Sequence, residues 1–157
     1  MGGGILYDNW NNNIKRILDC CDNVILWGAG TNSGDIEAYG NNECQLDFER
    51  FRLVGERDFR NNANLRYTPC VSCMSPLIQE VRDIKPYARI GTMLSFGYEA
   101  SPRYENLDHF HNINEVFGFI SKYEIIITSS YHCSYWATLC GKKVIGVSDG
   151  VTPKLVN

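Results

Sequence analysis

The feature that most constrains this chain is a strand-like run followed at once by a helix-like one. Residues 124–128 read Glu-Ile-Ile-Ile-Thr, and such a β-branched run suits a parallel strand covered on both faces. Residues from about 131 to 140 are apolar nearly all round, as in a buried helix. Between them lies a short turn, Thr128-Ser129-Ser130-Tyr131-His132. Gly141 is placed to end the helix, and Lys142 and Lys143 oppose the negative end of its dipole. Lys143 to Val147 then returns as a strand.

Similar units recur upstream. Trp10, Ile14, Ile17, Leu18 and Cys21 follow helical spacing, so residues ~10–22 read as an amphipathic helix. Val24 to Trp27 is a short apolar strand ended by Gly28-Ala29-Gly30, and Phe51 to Val54 is a second strand ended by Gly55-Glu56-Arg57-Asp58. Leu65 to Thr68 gives a third, ended by Pro69. Ser75-Pro76 is placed to start a helix whose apolar face is Leu77, Val81 and Ile84, with Pro86 beyond its end. Ala88 to Leu94 reads as a strand, and Gly97 to His111 as a long loop over one face. Asn112 with Glu115 forms a capping-box pattern ahead of Ile113, Val116, Phe117 and Ile120. Strands alternating with helices predict an α/β fold with a Rossmann-like, doubly wound parallel sheet.

Composition bounds the function classes. At 157 residues the chain has the size of one ordinary domain, and 44% hydrophobic residues can form a globular core. Residues 1–22 read as the end of a preceding half or a linker with a helix. Residues 23–157 read as the Rossmann-like domain proper, the whole forming a single globular unit. The net charge of -3, with both signs interspersed, argues against nucleic acid as a partner. No run reaches the ~18 apolar residues of a membrane span. Seven cysteines do not form a paired disulfide framework, and Cys20, Cys21, Cys133 and Cys140 fall in apolar helical patterns. A cytoplasmic location is expected.

Ligands of an open parallel sheet collect beyond the carboxyl ends of its strands. The turn after residue 128 is the strongest candidate, because unsatisfied N–H groups at a helix start attract phosphate or carboxylate. Ser129 and Ser130 can cap that start or donate to the same anion. His132, with its pKa pushed down by the helix dipole, can serve as a base or as a hydrogen-bond donor. The bland alternative is that Ser130 only caps and His132 bonds to a loop. Gly28, Gly30, Thr31 and Asn32 form a second phosphate-turn candidate, but the spacing G-x-G-x-x-x-G is not the dinucleotide fingerprint, so no bound NAD or other cofactor is expected. Arg57 is suited to a phosphate or carboxylate, or else to a surface pair with Asp58. Cys70-Val71-Ser72-Cys73 is a single C-x-x-C, compatible with a redox pair or with turn packing and short of the four ligands of structural zinc. His109 and His111 lack a carboxylate partner for a metal role, so no metal is expected.

Taken in order, Trp27-Gly28-Ala29-Gly30-Thr31-Asn32, Val54 to Asp58, Thr68 to Met74 and Thr128 to Leu139 resemble the polysaccharide pyruvyl transferase family and its glycosyltransferase-like relatives. Met1 to Tyr7 is similar to the strand end that closes that family's N-terminal domain. The resemblance implies the C-terminal half of a GT-B-like, two-domain transferase with its site in the interdomain cleft. Such enzymes transfer a pyruvyl group from phosphoenolpyruvate to a sugar as a ketal, in the making of surface polysaccharide. It places His132 as general acid or base, with Ser129, Ser130, Tyr131, Arg57, Gly28, Gly30, Thr31 and Asn32 around an anionic donor. Ser130 stands where many pyruvyl transferases carry the arginine of an Arg-x-His, which brings in a nucleotide-sugar donor as a competing expectation.

The expected partners are therefore phosphoenolpyruvate or a nucleotide sugar and a sugar acceptor, with the isolated chain catalytically inert. The alternatives are a non-catalytic sugar- or partner-binding module, self-associating as a homodimer, and a thiol redox protein on Cys70 and Cys73.

Overall fold

A computed structural model describes residues 8–30, 46–57, 66–94, 98–108 and 111–147. Thr31, Asn32, Asp58 and His109 lie outside them. The chain divides into two compact units, Met1–Ser72 with Val151–Asn157, and Cys73–Gly150. Each holds a three-stranded parallel sheet, so the α/β class and the parallel strands follow the expectation, with two small sheets in place of one wide one.

In the first unit, helix α1 (Asp8–Cys20) precedes β1 (Ile25–Ala29), β2 (Leu53–Glu56) and the two-residue β3 (Arg66–Tyr67), paired in the order β1-β2-β3. The apolar stripe of α1 is narrower than its sequence implies. Ile14 and Leu18 are buried with Leu26, Ala29, Leu46 and Phe51, whereas Ile17, Cys20 and Cys21 are exposed. The two cysteines therefore do not act as core hydrophobes. Cys20 closes the helix and Cys21 follows it, both exposed.

The second unit runs α2 (Leu77–Arg82), β4 (Ala88–Met93), α3 (Ile113–Lys122), β5 (Tyr123–Thr128), α4 (Tyr131–Leu139) and β6 (Lys143–Gly146). Its sheet order, β4-β5-β6, follows the chain, as short helical crossovers favour. The capping box at α3 is complete. The Glu115 amide donates to Asn112 Oδ1 at 3.1 Å, and the Asn112 amide to Glu115 Oε2 at 3.3 Å. No side-chain cap opens α2, where the Ser75 carbonyl accepts from the Ile78 amide instead.

Register places Gly91, Ile126 and Val144 side by side on one face, and Ile90, Ile125 and Lys143 on the other. Helices α2, α3 and α4 all contribute to the cluster around Ile126, with Phe117 and Ile120 fully buried. Ile126 is accordingly buried, but Ile125 and Ile127 are only half-buried, which corrects the expectation of a strand covered on both faces. The residues 98–108 contribute an edge to β4. The Thr92 amide donates to the Glu105 carbonyl at 3.0 Å, and the Leu107 amide to the Thr92 carbonyl at 3.0 Å. Among the described residues, no helix is long and apolar enough to cross a membrane.

Candidate functional site at the start of helix α4

The end of β5 and the start of α4 are shaped by one hydroxyl. Thr128 is fully buried, and its Oγ1 donates to the Met93 carbonyl at 2.7 Å while accepting from the Ser130 amide at 3.0 Å. The end of β4, the end of β5 and the helix cap are thus tied to one atom. Ser130 takes the extended conformation of an N-cap, and its Oγ accepts from the Cys133 amide at 3.5 Å, a long cap bond. Beneath the turn, burial pushes the Cys133 thiol pKa up, which keeps it protonated and unreactive.

Helix α4 is less buried than its composition implies. Cys133, Ala137 and Cys140 form the stripe that enters the core, while Tyr131, His132, Tyr135 and Trp136 are half-buried on the rest of the surface. The reason is that neighbouring elements cover one side of the helix, whatever the polarity of the other. The far end closes as expected. Gly141 adopts a φ of 74°, with its amide on the Thr138 carbonyl and the Lys142 amide on the Ala137 carbonyl, both at 2.9 Å.

Ser129, Ser130, Tyr131 and His132 are therefore brought together at one helix start, where the helix dipole favours an anion. Gly28, Gly30 and Arg57 belong to the first unit and are described with it. Gly28 has a φ of 56°, and a Cβ there would lie 2.9 Å from the Pro69 carbonyl oxygen. Its amide donates to Thr68 Oγ1 at 2.9 Å. The glycine is thus required by the chain's own packing, and its amide is already engaged. Arg57 is 5% exposed beside an equally buried Glu56, so it is no surface residue. Its amide donates to the Ala29 carbonyl at 2.8 Å, extending the β1–β2 pairing by one rung.

Cys70 and Cys73 are half-buried and form no disulfide, and Ser72 Oγ donates to Cys70 Sγ at 3.2 Å. The two nitrogens of His111 lie 2.8 Å from Glu115 and 3.2 Å from Asp108, at the cap of α3. Among the described residues, no group of three or more His, Cys, Asp and Glu side chains could hold a metal ion.

Two features of the site escaped the sequence reading, the role of one hydroxyl and the grouping of the rings. Thr128 was placed in the turn without a role for its hydroxyl, although a threonine between a strand and a cap is a local signal for a turn hydroxyl. The aromatic residues of α4 recur at 131, 132, 135 and 136, a spacing that places them on one side of a helix.

No curated protein and no solved structure matches the chain. The family model for polysaccharide pyruvyl transferases matches residues 75–150, nearly the same stretch as the second compact unit. Through these residues, which include the whole turn from β5 into α4, the chain is similar to the polysaccharide pyruvyl transferase family.

Proposed function

We propose that the turn Ser129-Ser130-Tyr131-His132 holds the anionic end of phosphoenolpyruvate in a pyruvyl transferase acting on a sugar. The observation that carries this reading is a helix start whose cap is fixed by the buried Thr128 hydroxyl, inside the segment that matches the family. Such a terminus favours a carboxylate or phosphate without further reorganisation. In the reaction, two sugar hydroxyls form C–O bonds to C2 of the enol phosphate. The bond from C2 to the phosphate oxygen breaks, and the CH2 carbon takes up a proton to become the ketal methyl. His132 is the residue at this turn able to take a hydroxyl proton or to give one to the leaving phosphate. The setting would be surface polysaccharide synthesis, with this chain supplying one wall of a GT-B-like cleft.

One observation favours a second donor. Ser130 offers a hydroxyl and no charge where the family resemblance calls for an arginine, so a nucleotide sugar with its diphosphate on the same helix start is the competing reading. Calorimetry with phosphoenolpyruvate and a panel of nucleoside diphosphates separates the two. Binding of phosphoenolpyruvate that weakens in His132→Ala supports pyruvyl transfer, and binding of a nucleoside diphosphate alone transfers the reading to glycosyl transfer. No binding of either at millimolar concentration removes both.

A further inference from the structure

The first two turns of α4 carry a connected set of rings. The imidazole of His132 lies 5.3 Å from the Trp136 indole, tilted by 33°, and 5.3 Å from the Tyr131 ring at 79°. Trp136 in turn rests against Phe117 of α3, centroid to centroid 5.7 Å, and Phe117 is 1% exposed. Tyr131 and Tyr135 stack nearly parallel at 6.0 Å. His132 and Trp136 are one helical turn apart, so their side chains meet on one side of α4. The fully buried part of the helix and its C-cap is Cys133, Ala137 and Cys140, against whose cluster Trp136 packs from the partly exposed side. The large half-buried indole is therefore a bridge from the rigid core to the imidazole, not a plug within the core.

We infer that Trp136 is a positioning residue for His132: braced by Phe117, its indole holds the imidazole in one orientation at the start of α4, with Tyr131 closing the other side. The inference rests on the reading that His132 works at this turn. A half-exposed histidine on a helix otherwise samples several rotamers, and reactive groups act well only when held within about 0.5 Å of a productive geometry. Tilted and edge-on ring contacts supply that restraint.

Proton NMR of the full chain tests it, the His132 ring resonances being assigned by their loss in His132→Gln. In the wild type these resonances should be displaced upfield by the adjacent indole. Trp136→Leu should abolish most of that displacement and weaken phosphoenolpyruvate binding on the order of tenfold. Trp136→Phe, which keeps an aromatic ring on Phe117, should restore both. If Trp136→Leu does not fold, Tyr131→Leu leaves the Phe117–Trp136 contact intact and should still shift the His132 resonances. Unchanged His132 resonances in a folded Trp136→Leu protein overturn the inference, as does a Trp136→Phe variant no better than leucine. Failure of wild-type protein to bind phosphoenolpyruvate removes the functional reading alone, because the ring displacement is read without ligand.

Discussion

Two strand ends in this molecule use the same chemistry for opposite purposes. At the end of β1, Thr68 accepts the Gly28 amide, and the Pro69 carbonyl fills the space where a side chain at position 28 would sit. After β5, Thr128 accepts the Ser130 amide and donates to the Met93 carbonyl. In each case a threonine hydroxyl satisfies an amide at a strand end, where the ladder can no longer do so. The first arrangement closes the strand end with the protein's own backbone. The second fixes the cap of α4, with no residue of the turn in the left-handed region. Glycine at a strand end thus marks close packing as readily as it marks ligand approach. The more informative signal is whether a helix of useful length follows.

The difference can be broken in several ways. The largest effect on the ligand should come from His132→Ala, which should weaken phosphoenolpyruvate binding by roughly 10–100-fold with little change in the urea midpoint. Retention of full binding would leave the α4 start as a structural feature like its counterpart. Gly28→Ala should do the reverse. A Cβ 2.9 Å from the Pro69 oxygen at positive φ should cost about 2–3 kcal/mol, seen by denaturant unfolding, whereas amide shifts induced by phosphoenolpyruvate at Ser129 to Cys133 should persist.

Thr128→Val keeps the shape and removes both hydrogen bonds, leaving the Met93 carbonyl and the Ser130 amide unmet. We expect a loss of about 1–3 kcal/mol together with weaker ligand shifts, a combination that no change at Gly28 should produce. Ser130→Ala should cost less, about 0.5–1 kcal/mol, given the long cap bond. Ser130→Asp sharpens the test, since aspartate caps as well as serine but repels an anion. Stability preserved with phosphoenolpyruvate binding lost would separate the two roles of that residue.

The smallest effect is a pH dependence confined to the second unit. Glu105 accepts from the Tyr123 hydroxyl and from Lys122 Nζ at 3.0 Å. These bonds, that from Tyr123 first, hold its carboxyl below the usual value of 4.5. The folded state therefore releases this proton more readily than the unfolded chain does. The stabilisation is fully present above the unfolded value near 4.5 and is lost as pH falls through the lower folded one. Glu105→Gln should flatten acid unfolding in that window. The change should be slight, because the Glu105 side chain is 56% exposed.

Much of this was written locally. The strands at 25–29, 88–93 and 123–128, the capping box of Asn112 and Glu115, the start of α4 at Tyr131 and its close at Gly141 all follow signals spanning a few residues. Caps, turns and hydrophobic periods act within one turn or one strand, so their physics is complete in the sequence. The same holds for the candidate turn itself, where Ser129, Ser130 and His132 are adjacent in the chain.

Only the tertiary structure decided what each surface met. That the strands form two three-stranded sheets, that Ile126 is buried while Ile125 and Ile127 are half-covered, and that α4 buries only its Cys133–Ala137–Cys140 stripe depends on where the helices pack. The Gly28 amide meets a hydroxyl 40 residues away, and Thr128 Oγ1 meets a carbonyl 35 residues away. Such partners leave no periodic trace, because a hydrogen bond or a ring contact constrains two positions and nothing between them. Local sequence therefore determined that a helix begins at Tyr131 after a capping serine. Long-range packing determined that its first turn is anchored by Thr128 and that its histidine lies against a braced indole.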